Sequence, residues 1–445
     1  MKKEARIIGV AKNIISMKEI KFTIPDISDL EIENVVEVLR SGWITTGPKT
    51  KLLEKKLAGF FGDYNENPIS TPSTLTPESP RCVCLGSATA SMEIALRLLH
   101  IGKQAGGGAD DEVITCAYTY TASASVISHV GAKIVLVDCS DTDGSIEMDY
   151  DRLEAAITPN TKAIIPVDIA GVPCDYDRIF EIVERKKGLF KAASPIQESL
   201  GRIAVIADAA HALGASYKGK MVGSIADFSA FSFHATKNFS TAEGGALTWN
   251  PLDGIGDNEI YRQIQLFSLH GQSKDAFAKN QSGGWEYDIV GPWYKCNMTD
   301  MAAAVGLGQF ERYPAMLARR REIIEKYDAS FKPLGIKVLN HYPSTLNQSS
   351  GHLYITRIPG INREQANEIM KEMAQAGIAT NVHFKPLPLH TAYKNLGFDI
   401  KDYPVSYAKF ENEITLPLHT KMTDEEVEYV IETYIGILKK YAIAK

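Results

Sequence analysis

Apolar positions along this chain fall into two textures that alternate through its first three hundred residues. Short apolar runs, among them Glu112-Val113-Ile114-Thr115, Ile134-Val135-Leu136-Val137-Asp138, Ala163-Ile164-Ile165-Pro166-Val167-Asp168, Ile203-Ala204-Val205-Ile206-Ala207-Asp208 and Phe228 to Phe233, predict buried strands. Between them lie helical spacings. One starts at Ser28 (Leu30, Ile32, Val35, Val36, Val38, Leu39) and ends at Ser41-Gly42; another runs from Met92 to Leu99, and a third reaches to near His129. Repeated units of strand and helix predict an α/β fold with a mostly parallel sheet covered on both faces, and such sheets bind ligands at the carboxyl ends of their strands. Near Arg312 the texture changes to a charged helix (Arg319 to Phe331), a strand through His352-Leu353-Tyr354-Ile355-Thr356, a helix from Arg363 to Ala376 and an amphipathic helix from Asp424 to Tyr441. The pattern predicts a large domain over 1–308 and a smaller α+β domain over 309–445. Residues 63–80, rich in Pro, Ser and Thr, read as a surface insertion, and 269–293 as a long loop.

The strand ends carry the candidate chemistry. Strand Arg81 to Leu85 leads through Gly86-Ser87-Ala88-Thr89-Ala90-Ser91 into a helix, so free backbone N–H groups and the helix dipole favour an anion there. The run lacks the Gly-Lys-Thr ending of a P-loop. Tyr120, Asp168 and Asp208 sit at the ends of later strands, with His211 just beyond Asp208. A packed tyrosine and a capping aspartate explain the first two as well as a ligand does. Asp208 needs a cationic or hydrogen-bonding partner, either an arginine or a protonated heterocycle nitrogen. Lys237 follows the strand Phe228 to Phe233 in Phe231-Ser232-Phe233-His234-Ala235-Thr236-Lys237-Asn238, ahead of Gly244-Gly245. A lysine on a surface loop fits that segment, and so does a desolvated, nucleophilic amine. Trp43-Ile44-Thr45-Thr46-Gly47-Pro48 is either a packed turn or the lining of a site for a polyhydroxylated ligand.

Composition narrows the classes. A net charge of -6 argues against a nucleic-acid partner. The six cysteines are scattered without a CxxC spacing, which predicts reduced thiols and no metal site. No apolar run reaches membrane-spanning length, and Met1-Lys2-Lys3 is followed by Glu4 and Arg6 rather than an apolar core, so a cytoplasmic protein without a membrane partner is expected.

An anion site, an aromatic, an aspartate with a histidine and a lysine are the groups that pyridoxal 5'-phosphate (PLP) requires for its phosphate, ring face, ring nitrogen and aldehyde. At this point the sequence resembles the DegT/DnrJ/StrS family of PLP-dependent sugar aminotransferases. The resemblance rests on Ser41-Gly42-Trp43, Asp111-Glu112-Val113-Ile114, Asp208-Ala209-Ala210-His211-Ala212, Phe231-Ser232-Phe233-His234 with Lys237-Asn238, and Asn297-Met298-Thr299-Asp300, in the family's order. Segments 63–80 and 186–201 fall outside it.

The resemblance implies an aspartate-aminotransferase-like fold (fold type I) and a homodimer with shared active sites. It implies that Lys237 bonds covalently to PLP and later moves the proton, that Asp208 keeps the pyridine nitrogen protonated, that Tyr120 stacks on the ring and that His211 contacts the ring hydroxyl region. Ser232, Ala88 and Thr89 match the phosphate cradle, with Ala88 where the family usually has glycine. Asn297, beside Lys295, matches a phosphate contact made to the neighbouring subunit, although many members carry asparagine and arginine at those two places. Thr45, Thr46 and His383 resemble positions near the sugar. The expected reaction passes an amino group from L-glutamate to a nucleotide-linked keto-deoxy sugar, with His383-Phe384-Lys385-Pro386 favouring a UDP-4-keto-6-deoxy hexose. A dehydratase of the same family would have histidine in place of Lys237. A PLP-bound sensor or scaffold would lack one of these groups, whereas an aminotransferase of a cyclitol or amino-aromatic pathway would share them all.

Overall fold

The computed structural model describes residues 19–62, 81–273 and 286–441. The expected insertion at 63–80 and the middle of the expected loop at 269–293 lie outside the described residues. The segment expected as an insertion at 186–201 closes in the short helix Pro195–Leu200, whose start is capped by the Ser194 hydroxyl. Gln197 ties that helix to the main body through a 2.6 Å bond from Nε2 to the Leu99 carbonyl.

Strands β1 (Cys82–Leu85), β2 (Glu112–Cys116), β3 (Lys133–Val137), β4 (Thr161–Ile165) and β5 (Ala204–Asp208) come first, followed by a small hairpin of β6 (Ser216–Tyr217) and β7 (Lys220–Met221). Strands β8 (Phe228–Ser232) and β9 (Gly245–Trp249) complete a seven-stranded sheet of order β1-β9-β8-β5-β4-β2-β3. Only β9 runs against the others. The carboxyl ends of β1, β2, β4, β5 and β8 therefore share one edge, as the alternating pattern predicts. β5 shows why its run is apolar throughout: Val205 and Ala207 enter the core on one face, Ala204 and Ile206 the core on the other.

A second, antiparallel sheet comprises β10 (Lys337–Val338), β11 (Tyr354–Arg357) and β12 (Glu413–Leu416). Its core gathers Tyr354, Ile414 and Leu416 with Ile323, Tyr327, Val430 and Tyr434 from two helices. The expected strand at 352–356 starts two residues later, and His352 and Leu353 line a cavity at the edge of the large sheet.

One expectation is corrected. The charged helix expected over 319–331 is the second half of a single helix, Asp300–Phe331, of 32 residues, with Pro314 inside it. Proline within a helix costs about 3 kcal/mol through a lost hydrogen bond and a clash. Packing on both sides of Pro314 offsets that. The first half lies on helix Asp29–Ser41, where a side chain at Gly308 would meet Glu31 within 3.1 Å, and the second half buries Ile323, Ile324, Tyr327 and Phe331 against the small sheet. This helix runs straight through the expected domain boundary at 308/309.

Asp300 at the start of that helix fastens the loop that carries Thr45 and Thr46. Its carboxylate accepts from the Gly47, Lys49 and Thr50 amides at 2.8, 3.1 and 2.9 Å and from the Thr50 hydroxyl at 2.7 Å, satisfying the N-terminus of helix Pro48–Gly62. Gly47 is needed for the approach, since a Cβ there would lie 2.8 Å from Asp300 Oδ2 and 2.1 Å from Trp43 Nε1. Asp300→Ala leaves buried amides unpaired and is expected to lower unfolding free energy by about 3 kcal/mol, read as an earlier urea midpoint. An unchanged midpoint would show that the cap is dispensable.

Candidate active site

A cavity of about 580 Å³ lies at the shared carboxyl edge, between the large sheet and segments next to the small sheet. Its floor is the turn after β1. Ser87 caps helix Ala88–Leu98 by accepting from the Ala90 amide at 3.1 Å, which leaves the Ala88 and Thr89 amides at the helix start facing the cavity with the positive end of the dipole behind them. Gly245 on β9 permits this turn: a Cβ there would meet the Ser87 carbonyl carbon at 2.4 Å and the Ala88 nitrogen at 2.6 Å. Ser232, at the end of β8, contributes a hydroxyl to the same floor.

Lys237 and Asp208 oppose each other across this space. Lys237 lies on the turn that follows β8, held by its own amide bonding to the His234 carbonyl at 2.8 Å. No described residue hydrogen-bonds its Nζ. Burial lowers its pKa to about 8, and the Asp208 charge works in the opposite direction. Asp208 ends β5 and is 4% exposed. Ser123 Oγ donates to its Oδ2 at 2.6 Å and the Ala210 amide to its Oδ1 at 3.2 Å. Burial pushes its pKa up, while those two bonds and Lys237 pull it down. A buried carboxylate with lone pairs left over and no cation bonded to it is poised for a cationic ligand atom.

His211 stands beside this pair. The Ala170 amide donates to its Nδ1 at 3.1 Å, which places the ring proton on Nε2. Burial, then Lys237 and His383, holds the imidazole well below its usual pKa, so it is a neutral donor. Tyr120 also lines the cavity; it is 60% exposed, with its ring 5.8 Å from that of Phe384. His383 lines the far wall, stacked on Phe22 at 5.4 Å.

Thr45, Thr46 and Asn297 are brought together with one another but not into this cavity. The Asn297 side chain amide donates to Thr46 Oγ1, which itself donates to the Met298 carbonyl at 2.5 Å. None of the three lines the cavity. Asp168 does not line it either. Its fully buried carboxylate accepts from the Cys174 amide (2.9 Å) and the Tyr176 hydroxyl (2.8 Å), and burial raises its pKa to about 7. It fastens the turn after β4.

Several residues in or behind the cavity wall carry no clear signal in the sequence. Ser123 had no signal beyond a helix of small residues. Phe22 sits in an irregular segment with no periodicity. His352 and Phe384 were visible only as members of a strand and of a motif, and their rings pack against His211 at 4.3 and 6.1 Å.

These groups fit PLP. An anion cradle whose turn only a glycine at 245 accommodates, a buried amine without a bond among the described residues, a buried carboxylate with spare lone pairs and a neutral imidazole meet at one cavity of cofactor size. Among the described residues no group of His, Cys, Asp and Glu is placed to hold a metal.

Comparison with known proteins agrees. The DegT/DnrJ/EryC1/StrS aminotransferase family model matches residues 25–434. The spore coat polysaccharide biosynthesis protein SpsC of Bacillus subtilis (strain 168) is 35% identical over 424 residues, 94% of this chain and 97% of that protein. The putative sugar aminotransferase Spr1654 from Streptococcus pneumoniae, in its PLP-form, is 52% identical with a TM-score of 0.86, covering 96% of this chain and 100% of that one. PseC of Helicobacter pylori, an aminotransferase involved in the biosynthesis of pseudoaminic acid, is 25% identical with a TM-score of 0.76, covering 95% and 100%. The chain belongs to the DegT/DnrJ/EryC1/StrS aminotransferase family of PLP-dependent sugar aminotransferases.

Proposed function

We propose that the protein transfers an amino group from L-glutamate to a nucleotide-linked keto-deoxy sugar, in the form of a UDP-4-keto-6-deoxy hexose. The observation that carries this reading is the placement of the Lys237 amine, the Asp208 carboxylate and the Ala88–Thr89 helix start on one cavity. Glutamate and the sugar nucleotide are supported by the motif resemblance, and the sugar more broadly by the similarity to sugar aminotransferases.

Bound PLP supplies an aldehyde that takes up the donor's amino group and a ring that stores the electron pair released when a proton leaves the substrate carbon. The chain does the rest. The amides of Ala88 and Thr89 with the Ser232 hydroxyl hold the phosphate. Asp208 keeps a proton on the ring nitrogen, with Ser123 fixing the carboxylate's orientation. His211 donates from Nε2 toward the ring hydroxyl region, and Tyr120 covers the ring face. Lys237, with its pKa near neutrality, is a base that takes the proton from the donor carbon and returns it on the opposite carbon, then reverses the sequence for the sugar.

The active unit is a homodimer. Thr45, Thr46 and Asn297 lie outside this chain's cavity, and Ile32, Leu39, Ile44 and Leu52, on either side of Thr45 and Thr46 in the chain, are exposed, so these residues face the partner's site in this proposal. Residues 1–308 and 309–445 act as the two domains that enclose the cavity, linked by helix Asp300–Phe331. Among the described residues no helix is long and apolar enough to cross a membrane, and the six cysteines are free thiols, which favours the cytoplasm.

The test is a visible absorbance spectrum of the PLP-loaded protein before and after L-glutamate. Glutamate is expected to replace the band of covalently held PLP with that of the aminated cofactor. An unchanged band would overturn glutamate as donor, and absence of the band would overturn Lys237 as the covalent attachment.

A further inference from the structure

On the wall opposite Lys237, His383 belongs to a hydrogen-bonded chain that runs away from the cavity into the small sheet. Its Nδ1 lies 3.0 Å from Thr415 Oγ1, which lies 2.5 Å from Glu413 Oε1. The other carboxylate oxygen, Oε2, accepts from the His383 amide at 3.1 Å. Glu413 and Thr415 are fully buried on β12, and no described residue hydrogen-bonds His383 Nε2, the ring edge left for the cavity.

We propose that Glu413, acting through Thr415, sets which nitrogen of His383 carries the proton and thereby whether the cavity-facing edge accepts or donates a hydrogen bond to the sugar. Glu413 and Thr415 are then positioning residues. Their link to the sugar rests on the aminotransferase reading above; the coupling within the chain of three does not.

The hydroxyl between them transmits direction because it has one proton to give. With Glu413 ionised, Thr415 donates to Oε1 and must accept from Nδ1–H, so Nε2 presents a lone pair. With Glu413 protonated on Oε1, the acid donates to Thr415, Thr415 donates to Nδ1, and Nε2 carries the proton. The two states differ by one proton. A proton arriving at Nε2 from a sugar hydroxyl sends Nδ1–H to Thr415 and the Thr415 proton to Glu413, so the imidazole stays neutral throughout. That matters here, because burial and Lys237 lower the His383 pKa to about 3, and an imidazolium facing Lys237 is unfavourable. Burial raises Glu413 to about 8, against the Thr415 and His383 bonds and the Arg363 charge. The proton taken up at the cavity edge therefore comes to rest on the Glu413 carboxyl, which burial raises, and not on the imidazole, which burial lowers. The other groups around Glu413 are Arg357, its register partner on β11, and the Tyr118 and Tyr434 hydroxyls, both with raised pKa values.

The test is ¹⁵N NMR of the histidine-labelled full chain without substrate, with the His383 signals identified by their loss in His383→Gln. In the wild type, Nε2 is expected to change from protonated to unprotonated as pH rises through about 8. Glu413→Gln should lock it protonated at every pH. The His383 amide needs an acceptor, so the Gln carbonyl takes the Oε2 position, its NH₂ takes the Oε1 position, and Thr415 is forced to donate to Nδ1. Thr415→Val should abolish the pH-linked change and Thr415→Ser restore it. An Nε2 state that ignores pH in the wild type, or one that is the same in Glu413→Gln above pH 8, overturns the proposal. Neither result bears on the glutamate spectrum, so the two readings fail separately.

Discussion

Lys237→Ala is expected to lose turnover by on the order of 10⁴-fold or more while leaving the fold intact. In the proposed role two functions would end with one amine: covalent attachment of PLP and movement of the proton between carbons. Little packing is lost, because Nζ has no hydrogen-bond partner among the described residues and Lys237 lies on a turn at the cavity. The same change tests the electrostatics of the free protein. The folded pKa of about 8 lies below the ordinary 10.5, so folding disfavours the ammonium. The penalty, about 3 kcal/mol before any relaxation, is fully present below pH 8 and fades as pH rises from there toward 10.5. Lys237→Ala without PLP should therefore unfold at the same or a higher urea concentration than wild type at neutral pH, with the difference shrinking at alkaline pH. Retained transamination would end the assignment of Lys237. Severe destabilisation at neutral pH would show that the lysine is a structural member of the fold.

The strand-end residues were legible because each is local to its own signal. An apolar run ending in Asp208, and a strand followed by Lys237 among small residues, place each group at the sheet edge wherever the rest of the chain goes. Parallel strands then collect the ends without further information. Contacts made by distant segments left no such trace. Ser123 reaches Asp208 across 85 positions, and Phe22 arrives from a stretch with no periodicity. The continuity of helix Asp300–Phe331 was hidden for a related reason: the change in charge near Arg312 reads as a break, and only the packing on either side of Pro314 carries the helix through. Glu413 shows the limit most clearly. In sequence it is one glutamate in an apolar strand, and nothing there says that its carboxylate meets the amide and, through Thr415, the ring of His383, 30 residues earlier.

Asp208→Asn should separate cofactor affinity from folding in the same way. The near-isosteric amide can keep its carbonyl toward the Ala210 amide and turn its NH₂ to Ser123 Oγ, which still has Thr119 as a partner at 2.9 Å. What disappears is the charge. In the free protein that charge is a liability, since burial raises the Asp208 pKa and so disfavours the ionised fold above the usual carboxylate range. Removing it should leave stability without PLP unchanged or slightly higher at neutral pH. In the proposed role the carboxylate would pair with the protonated ring nitrogen of bound PLP, and truncating one partner of a buried charge pair costs about 2–5 kcal/mol. PLP affinity is therefore expected to fall by about 10²-fold or more, and turnover with it, because the side chain at 208 would no longer hold the proton on which the cofactor's capacity to store an electron pair depends. Both losses should appear together in fluorescence titration with PLP and in the rate of the glutamate-driven absorbance change. Wild-type affinity and rate in Asp208→Asn would place the ring-nitrogen partner elsewhere in the cavity. A fall in the urea midpoint of the PLP-free variant, with unchanged affinity, would make Asp208 a structural link between β5 and the helix that carries Ser123.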